Sequence, residues 1–184
     1  MKVYFVASPR AKKIFGRDIE TAYNAISELG YQHTSDFIER VDPEALYDLD
    51  QKEIIDHYRK TMKAVKDADM IVVDVSVASM SMGYIVDRAN EYSKPVIILH
   101  TKGNEPFFFS GIQDDRVQIV EYGADNAKEV LKSALDYAKE LLQTRFTMLM
   151  PAELMKFLDK IAGKVGTSKS EYIRKLIERE RKRK

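Results

Sequence analysis

The first residues of the chain have the composition of a buried parallel strand: residues 2–10 read Lys-Val-Tyr-Phe-Val-Ala-Ser-Pro-Arg. A short run of apolar residues that ends in a serine-proline turn is typical of a strand covered on both faces. A second run, Ala68-Asp-Met-Ile-Val-Val-Asp-Val75, leads in the same way through Ser79-Met-Ser-Met-Gly-Tyr84 into a helical segment. Two strand-turn-helix junctions of this kind predict a parallel sheet with crossover helices.

The rest of the first 143 residues continues this alternation. Further strands are predicted at residues 95–100 and 117–121. Helices are predicted before Gly30, from Asp42 to about Lys66, from Gly83 to Tyr92 and from Asn126 to Gln143. Asp42 is expected to cap the long helix with Pro43 in its first position, and Gly30 to end the first helix in the left-handed conformation. The pattern predicts an α/β domain with a flavodoxin-like, Rossmann-like parallel sheet of about five strands, and ligand chemistry at the carboxyl ends of the strands.

The composition excludes several classes of protein. The chain is 45% hydrophobic and 32% charged, and it has no apolar run long enough to span a membrane. It has no cysteine, so disulfide, thiolate and iron–sulfur chemistry are excluded, and its three histidines lack metal-ligand spacing. We expect no metal and no cofactor. The start of the chain does not resemble a signal peptide, so we expect a cytoplasmic protein.

The net charge of +1 conceals a separation of charge along the chain. Residues 145–184 hold 12 Lys and Arg against 5 Asp and Glu, a net +7, whereas residues 1–144 hold 18 against 24, a net −6. An acidic body with a basic tail indicates that the tail alone meets a polyanion. We therefore predict two domains, residues 1–143 and 144–184.

The tail departs from the strand-helix alternation of the body. Residues 145–150 predict a short strand ended by Pro151, and an apolar stripe from Leu154 to Val165 predicts a helix that Gly166 ends. Ser168 and Glu171 have the spacing of a capping box at the start of a second helix. One strand and two helices are too small to bury a core, so we expect the tail to fold by pairing with a second copy. The chain is thus predicted to be a homodimer or a higher homo-oligomer.

The order and chemistry of residues 145–183 resemble the ribbon-helix-helix family of DNA-binding proteins. In that family, two strands pair across a dimer and enter the major groove of double-stranded DNA. Alternation along the strand places Phe146, Met148 and Met150 on the helix side. By this resemblance, the residues that read bases are Arg145, Thr147 and Leu149.

The start of the second tail helix is expected to contact the DNA backbone. Thr167, Ser168 and Lys169 lie where free N–H groups and the helix dipole favour a phosphate. The alternative is that the strand is a plain edge strand and that the basic residues form a solvated helix face. Some ribbon-helix-helix modules also serve mainly to dimerise.

The body resembles another family. Tyr-Phe-Val-Ala-Ser-Pro-Arg near the start, Ser-Met-Gly-Tyr followed by Asp-Arg-Ala, and Lys-Pro-Val-Ile-Ile-Leu are similar to segments of the nucleoside 2-deoxyribosyltransferases. The closest branch is the 2′-deoxynucleoside 5′-monophosphate N-hydrolases. These enzymes attack the anomeric carbon of the sugar with a glutamate that follows the Gly-Tyr pair. Here that position is Ile85, and a second family carboxylate falls on Thr61.

The resemblance keeps the binding residues while both catalytic carboxylates are missing. It implies a sugar and phosphate pocket, to which Ser110 would contribute from a neighbouring subunit; the remaining pocket residues are Tyr4, Ser8, Arg10, Ser79, Gly83 and Tyr84. A nucleotide or nucleoside-like ligand is therefore expected to bind without being cleaved, in a pseudoenzyme domain that acts as the sensor of a transcriptional regulator. Asp87 is the weak candidate for a replacement catalytic carboxylate, whereas Asp74 is interpreted as structural.

Two alternatives remain open from the sequence. The body can be an active deoxynucleotide N-glycosidase or deoxyribosyltransferase whose tail mainly oligomerises it, or the chain can be an assembly module with neither ligand nor DNA. The Phe107-Phe108-Phe109 run is interpreted as core or as an oligomer contact, with a lid as its alternative.

Overall fold

The structure is a computed structural model of the 184-residue chain, and it describes residues 1–40, 48–142, 148–181 and 183. The chain divides into two compact units, Met1–Gln143 and Thr144–Lys184. We refer to these units as the body and the tail. In the described part of the chain, no helix has the length and apolar character that a membrane span requires.

The body contains a five-stranded, fully parallel sheet in the order β2-β1-β3-β4-β5. Its strands are β1 (Lys2–Ala7), β2 (Gln32–His33), β3 (Met70–Asp74), β4 (Val96–Thr101) and β5 (Val117–Tyr122). This order confirms the flavodoxin-like prediction. The two residues of β2 are polar and too few to show a periodic pattern, which is why the sequence did not locate this strand.

Helices cover both faces of the sheet, as the apolar composition of the strands predicted. The body helices are α1 (Pro9–Glu28), α2 (Phe37–Arg40), α3 (Gln51–Asp67), α4 (Met80–Glu91) and α5 (Ala127–Glu140). Because side chains alternate along a strand, Phe5 packs with α1 and α5, whereas its neighbours Tyr4 and Val6 pack with α3 and α4. The body therefore has one apolar layer on each side of the sheet.

The predicted start of the long helix was wrong. α3 begins at Gln51, where Asp50 Oδ1 accepts a hydrogen bond from the Glu53 amide at 2.8 Å and Glu53 Oε2 accepts one from the Asp50 amide at 2.9 Å. This capping box satisfies backbone donors that an Asp42 cap does not reach. Asp42 and Pro43 lie outside the described residues.

Two other helix ends bear on the site. α4 begins at Met80, three residues before the predicted start, so Gly83 lies inside its first turns. α5 spans 14 residues and is shorter at both ends than predicted. The predicted left-handed stop at Gly30 is confirmed by its φ of +86°, which follows the end of α1.

The tail contains α6 (Ala152–Val165) and α7 (Lys169–Arg181). Gly166 ends α6 with a φ of +71°, as predicted, and the Thr167 amide donates to the Ala162 carbonyl at 3.0 Å. Residues 148–150 have no regular secondary structure, and Arg145, Phe146 and Thr147 lie outside the described residues, so the strand and its pairing stay predictions. Ser168 directly precedes α7, while the Glu171 side chain of the predicted capping box is not described.

Candidate ligand-binding site

A cavity of about 500 Å³ lies at the carboxyl end of β1, beside the start of α4, the helix that follows β3. Its walls come from the end of β1, the starts of α1 and α4, and one side of α3. In the strand order 2-1-3-4-5, the direction of chain winding reverses between β1 and β3. The crevice outside such a reversal is where open α/β sheets bind their ligands.

The structure brings together most of the residues that the resemblance assigned to the pocket. Tyr4, Ser8, Ser79 and Tyr84 all line this cavity. Ile85 and Thr61 line it too, so both positions where the family has carboxylates face the same space. Predicted residues from three separate segments of the sequence therefore meet at one site.

The other predicted body residues lie at or beyond its edge. The Arg10 guanidinium donates to the Ala78 carbonyl at 3.1 Å, next to Ser79. Gly83 lines a neighbouring cavity, described below, and not this one. Ser110 lies in a 3-10 turn, where its Oγ donates to the Pro106 carbonyl at 3.4 Å. Asp87 is exposed, is paired with Arg88 at 2.8 Å and is not among the residues that line either cavity.

The floor of the cavity is an uncharged pair of hydroxyl groups. Tyr4 is buried at the centre of β1, and burial raises the pKa of its phenol to about 12, with a hydrogen bond to Thr61 acting in the opposite direction. The phenol therefore stays protonated at physiological pH. A hydroxyl pair of this kind offers hydrogen bonds to a ligand and contributes no charge.

Two helices begin at the cavity, and they differ in how their first N–H groups are satisfied. In α1, Ser8 Oγ accepts a hydrogen bond from the Ala11 amide at 3.1 Å, and Pro9 has no N–H group. Few backbone N–H groups of this first turn are therefore left to bind a ligand. In α4, Ser79 holds the N-cap position but makes no side-chain capping bond. The first turn of α4, beside the Arg10 guanidinium, is thus the most anion-attracting edge of the cavity.

No described residue in the lining is an Asp, Glu, Lys or Arg. The polar lining consists of Ser, Thr and Tyr hydroxyl groups and the His57 imidazole, whose pKa is lowered by burial and, less strongly, by Lys60. Ile85 is buried. Among the described lining residues, none supplies the carboxylate that would attack a sugar carbon.

One wall of the cavity was not identified from the sequence. It comprises Phe37 of α2 and four residues of α3: Ile54, His57, Tyr58 and Met62. The Tyr58 and Tyr84 hydroxyl oxygens are 2.9 Å apart, and this hydrogen bond is the largest cause of the raised pKa of Tyr84. The Arg88 guanidinium lies 5.4 Å from the Tyr84 ring centroid. The only sequence pattern that could have identified this wall is the helical spacing of the α3 residues, but the same spacing is typical of a helix that packs on the core.

A second cavity of about 640 Å³ lies on the other side of Ser79 and Met80. It is lined by Ser76, Gly83 and Asn104, and by the three consecutive phenylalanines. Phe107 and Phe108 are almost fully exposed, so these two residues are not part of the core of the single chain, and their interpretation as an oligomer contact stays a prediction. Phe109 is partly buried and packs against the α3–α4 layer.

Asp74 belongs to a buried hydrogen-bond network on the opposite face of the sheet. Its Oδ2 accepts from Tyr122 Oη and from Ser76 Oγ, each at 2.8 Å, and its Oδ1 accepts from the Ser76 amide at 3.2 Å. The network joins the carboxyl ends of β3 and β5 beneath the site. This geometry agrees with the structural interpretation of Asp74.

In the tail, the predicted DNA-contacting residues differ in exposure and in their contacts. Leu149 is fully exposed, and Lys169 Nζ lies 2.8 Å from Asp159 Oδ1 on α6. Thr167 is partly buried, and its Oγ has no hydrogen-bond partner among the described residues. Arg145 and Thr147 lie outside the described residues.

Within the described residues, no cluster of His, Cys, Asp or Glu side chains is placed to hold a metal ion. No family model and no curated protein matches the sequence of this chain. A solved structure that is similar to it is the CMP N-glycosidase BcmB of Clostridium botulinum, at 16% sequence identity and a TM-score of 0.49. The match covers 74% of this chain and 98% of BcmB. A likeness this distant assigns neither residues nor an activity to the chain.

Proposed function

We propose that the chain is a DNA-binding transcriptional regulator whose body binds a nucleotide or nucleoside-like ligand without cleaving it. The observation that carries the proposal is the cavity at the end of β1 and the start of α4. It gathers four of the predicted pocket residues, and it also contains Ile85 and Thr61, the two residues that by the resemblance replace the family's carboxylates.

The polar edge of the cavity suits a sugar phosphate. Ser8, Ser79 and Thr61 offer hydroxyl groups to sugar oxygens, and the uncapped first turn of α4 favours an anion. The Arg10 guanidinium donates to the Ala78 carbonyl, two residues before α4 begins at Met80. Because no described carboxylate lines the cavity, none of these residues repels a phosphate.

Hydrolysis of an N-glycosidic bond needs a nucleophile and a group that manages protons. Ile85 has no functional group, and the Tyr4–Thr61 pair cannot ionise near neutral pH. Binding without turnover is the behaviour that these residues support.

Titration calorimetry with 2′-deoxynucleoside 5′-monophosphates, together with chromatography of the same mixtures, tests the body. We expect binding and no release of free base, and we expect Arg10→Ala to weaken binding of the monophosphate more than binding of the nucleoside. The exposed Arg17 provides the matched control, Arg17→Ala. Release of free base that Asp87→Ala abolishes would instead establish the glycosidase alternative.

DNA binding by the tail is supported by its charge and by its exposed apolar residues. The tail carries a net +7, and large apolar side chains on α6 and α7 are exposed in the single chain: Leu154, Phe157, Val165 and Ile177. A monomeric protein rarely exposes so many large apolar side chains on two short helices. Their exposure supports a module whose core is completed by a second copy of the chain.

Fluorescence anisotropy on duplex DNA tests this part of the proposal. Phosphate contacts give a steep salt dependence, and about six of them lower affinity roughly 10³-fold between about 50 and 200 mM salt. Arg145→Ala should weaken binding to a selected duplex by about 1–3 kcal/mol, while Arg17→Ala leaves it unchanged. If DNA binding does not depend on salt, the assembly-module alternative is favoured. The same holds if the chain binds neither DNA nor a nucleotide.

A further inference from the structure

One face of helix α3 lines the cavity along its first three turns and joins the core only near Met62 and Val65. The stripe follows the i, i+3, i+4, i+7, i+8 spacing of one helix face, and every member lines the cavity: Ile54, His57, Tyr58, Thr61 and Met62. The buried residues of α3, Ala64 and Val65, lie at its carboxyl-terminal end. The first three turns of α3 therefore pack against space that a ligand can fill.

The exposure of this stripe distinguishes it from the other long helices of the body. Ile54 is 48% exposed and Tyr58 is 50% exposed, whereas the apolar face of α5 is buried against the sheet. An amphipathic helix gains most of its stability from packing that face. A flat apolar ligand would complete the packing of α3 at this point.

The chemistry of the wall selects the kind of ligand group. The Phe37 and His57 ring centroids are 4.9 Å apart with the planes inclined by 40°, so two rings stand side by side at the cavity. The hydrogen bond between the Tyr58 and Tyr84 hydroxyls uses one of their two protons, which leaves one O–H donor and free lone pairs for a ligand. No described side chain in the lining carries a full charge as a counter-ion. Such a wall suits an uncharged planar ring with polar atoms on its edge.

We infer that the α3 stripe is the subsite for an uncharged planar heteroaromatic ring of the nucleobase class, and that the Tyr58 phenol determines specificity by reading the ring's polar edge. This inference rests on the proposed function, because it names the part of the nucleotide-like ligand that α3 recognises. The sugar and phosphate would lie toward Ser8, Ser79 and the start of α4.

The test compares ligands that share a sugar phosphate and differ in the base. The full chain is titrated by calorimetry with dAMP, dCMP and 2-deoxyribose 5-phosphate. Stacking on an aromatic wall should make at least one nucleotide bind about tenfold or more tightly than the sugar phosphate. Loss of the phenol hydrogen bond in Tyr58→Phe should weaken that nucleotide about three- to tenfold and leave the sugar phosphate unchanged.

Tyr137→Phe is the matched control, because Tyr137 is 45% exposed on α5 and does not line the cavity. Hydrogen exchange adds a readout that needs no variant: amides of residues 54–62 should gain protection with the nucleotide but not with 2-deoxyribose 5-phosphate, while those of α5 stay unchanged.

The possible failures are distinguishable. If the nucleotides and the sugar phosphate bind equally, or if Tyr58→Phe has no more effect than Tyr137→Phe, the α3 subsite is wrong and the proposed ligand-binding function stands. If none of the three compounds binds, both are wrong.

Discussion

At the scale of single residues, the buried Asp74 carboxylate depends on three donors from Ser76 and Tyr122. Burial raises the pKa of Asp74, and the hydrogen bonds from Tyr122 and Ser76 act in the opposite direction. Removing one donor leaves a buried acceptor that is less well satisfied, which is more destabilising than losing an exposed bond.

We therefore predict that Tyr122→Phe lowers the free energy of unfolding by about 1–3 kcal/mol, as measured by urea denaturation. Tyr137→Phe makes the same chemical change at an exposed position and should stay within about 0.5 kcal/mol of the parent. Equal effects of the two substitutions would show that the network adds nothing to stability.

His33 couples stability to pH. Its ring stacks on Tyr23 with centroids 3.8 Å apart, its Nε2 lies 3.0 Å from the Tyr23 carbonyl, and its Nδ1 has no partner among the described residues. Burial lowers the pKa of His33 from its ordinary value of 6.5, against the opposing effects of the Tyr23 carbonyl and Glu39. As pH falls, the unfolded chain takes up the proton first, so the free energy of unfolding decreases through this range.

Denaturation curves from about pH 7.5 to about pH 5 should show this loss of stability, and it should be smaller in His33→Phe, which keeps an aromatic ring beside Tyr23 but does not titrate. Parallel pH profiles for the parent and the variant would contradict the assignment.

At the scale of helices and strands, the features that could be predicted from the sequence are those set by hydrophobic periodicity or by a single local residue. Four of the five strands and the stops at Gly30 and Gly166 agree with the structure within one or two residues. The start of α3 does not, because Asp42-Pro43 and Asp50 with Glu53 are both good local signals and sequence alone does not rank them.

The candidate site was predicted in part for a similar reason. Tyr4, Ser8, Ser79 and Tyr84 were found through a family resemblance, whereas Ile54, His57 and Tyr58 were missed. An apolar stripe on α3 has the same spacing whether it faces a core or a cavity. Only the packing of α3 against β1 and α4 distinguishes the two.

The turn between α6 and α7 gives a prediction at this scale. Gly166 has a φ of +71°, so Gly166→Ala forces a Cβ into the left-handed region and should destabilise the tail by about 1 kcal/mol. Gly163 lies within α6, where an added Cβ meets no atom within 4 Å, so Gly163→Ala should stabilise it by about 0.5–1 kcal/mol.

Thermal unfolding followed by circular dichroism at a fixed protein concentration checks the sign of both changes. A loss of stability in Gly163→Ala equal to that in Gly166→Ala would show that both glycines are needed for close packing and not for backbone conformation.

At the scale of the whole molecule, opposite charges are separated along the chain. Residues 1–144 have a net charge of −6, which disfavours contact with a polyanion, whereas residues 145–184 have a net charge of +7, which favours it. In the proposed regulator, the ligand must bind more tightly when the tail is in one DNA-binding arrangement than in another, since a ligand with no such preference changes nothing.

This coupling between ligand binding and DNA binding can be measured directly. A labelled duplex recovered from a random-sequence pool is titrated with the full chain by fluorescence anisotropy, with and without a saturating 2′-deoxynucleoside 5′-monophosphate. We expect the ligand to change the Kd for DNA about fivefold or more, and DNA to change the Kd for the ligand by the same factor. An unchanged Kd for DNA while calorimetry shows the ligand bound would contradict this coupling.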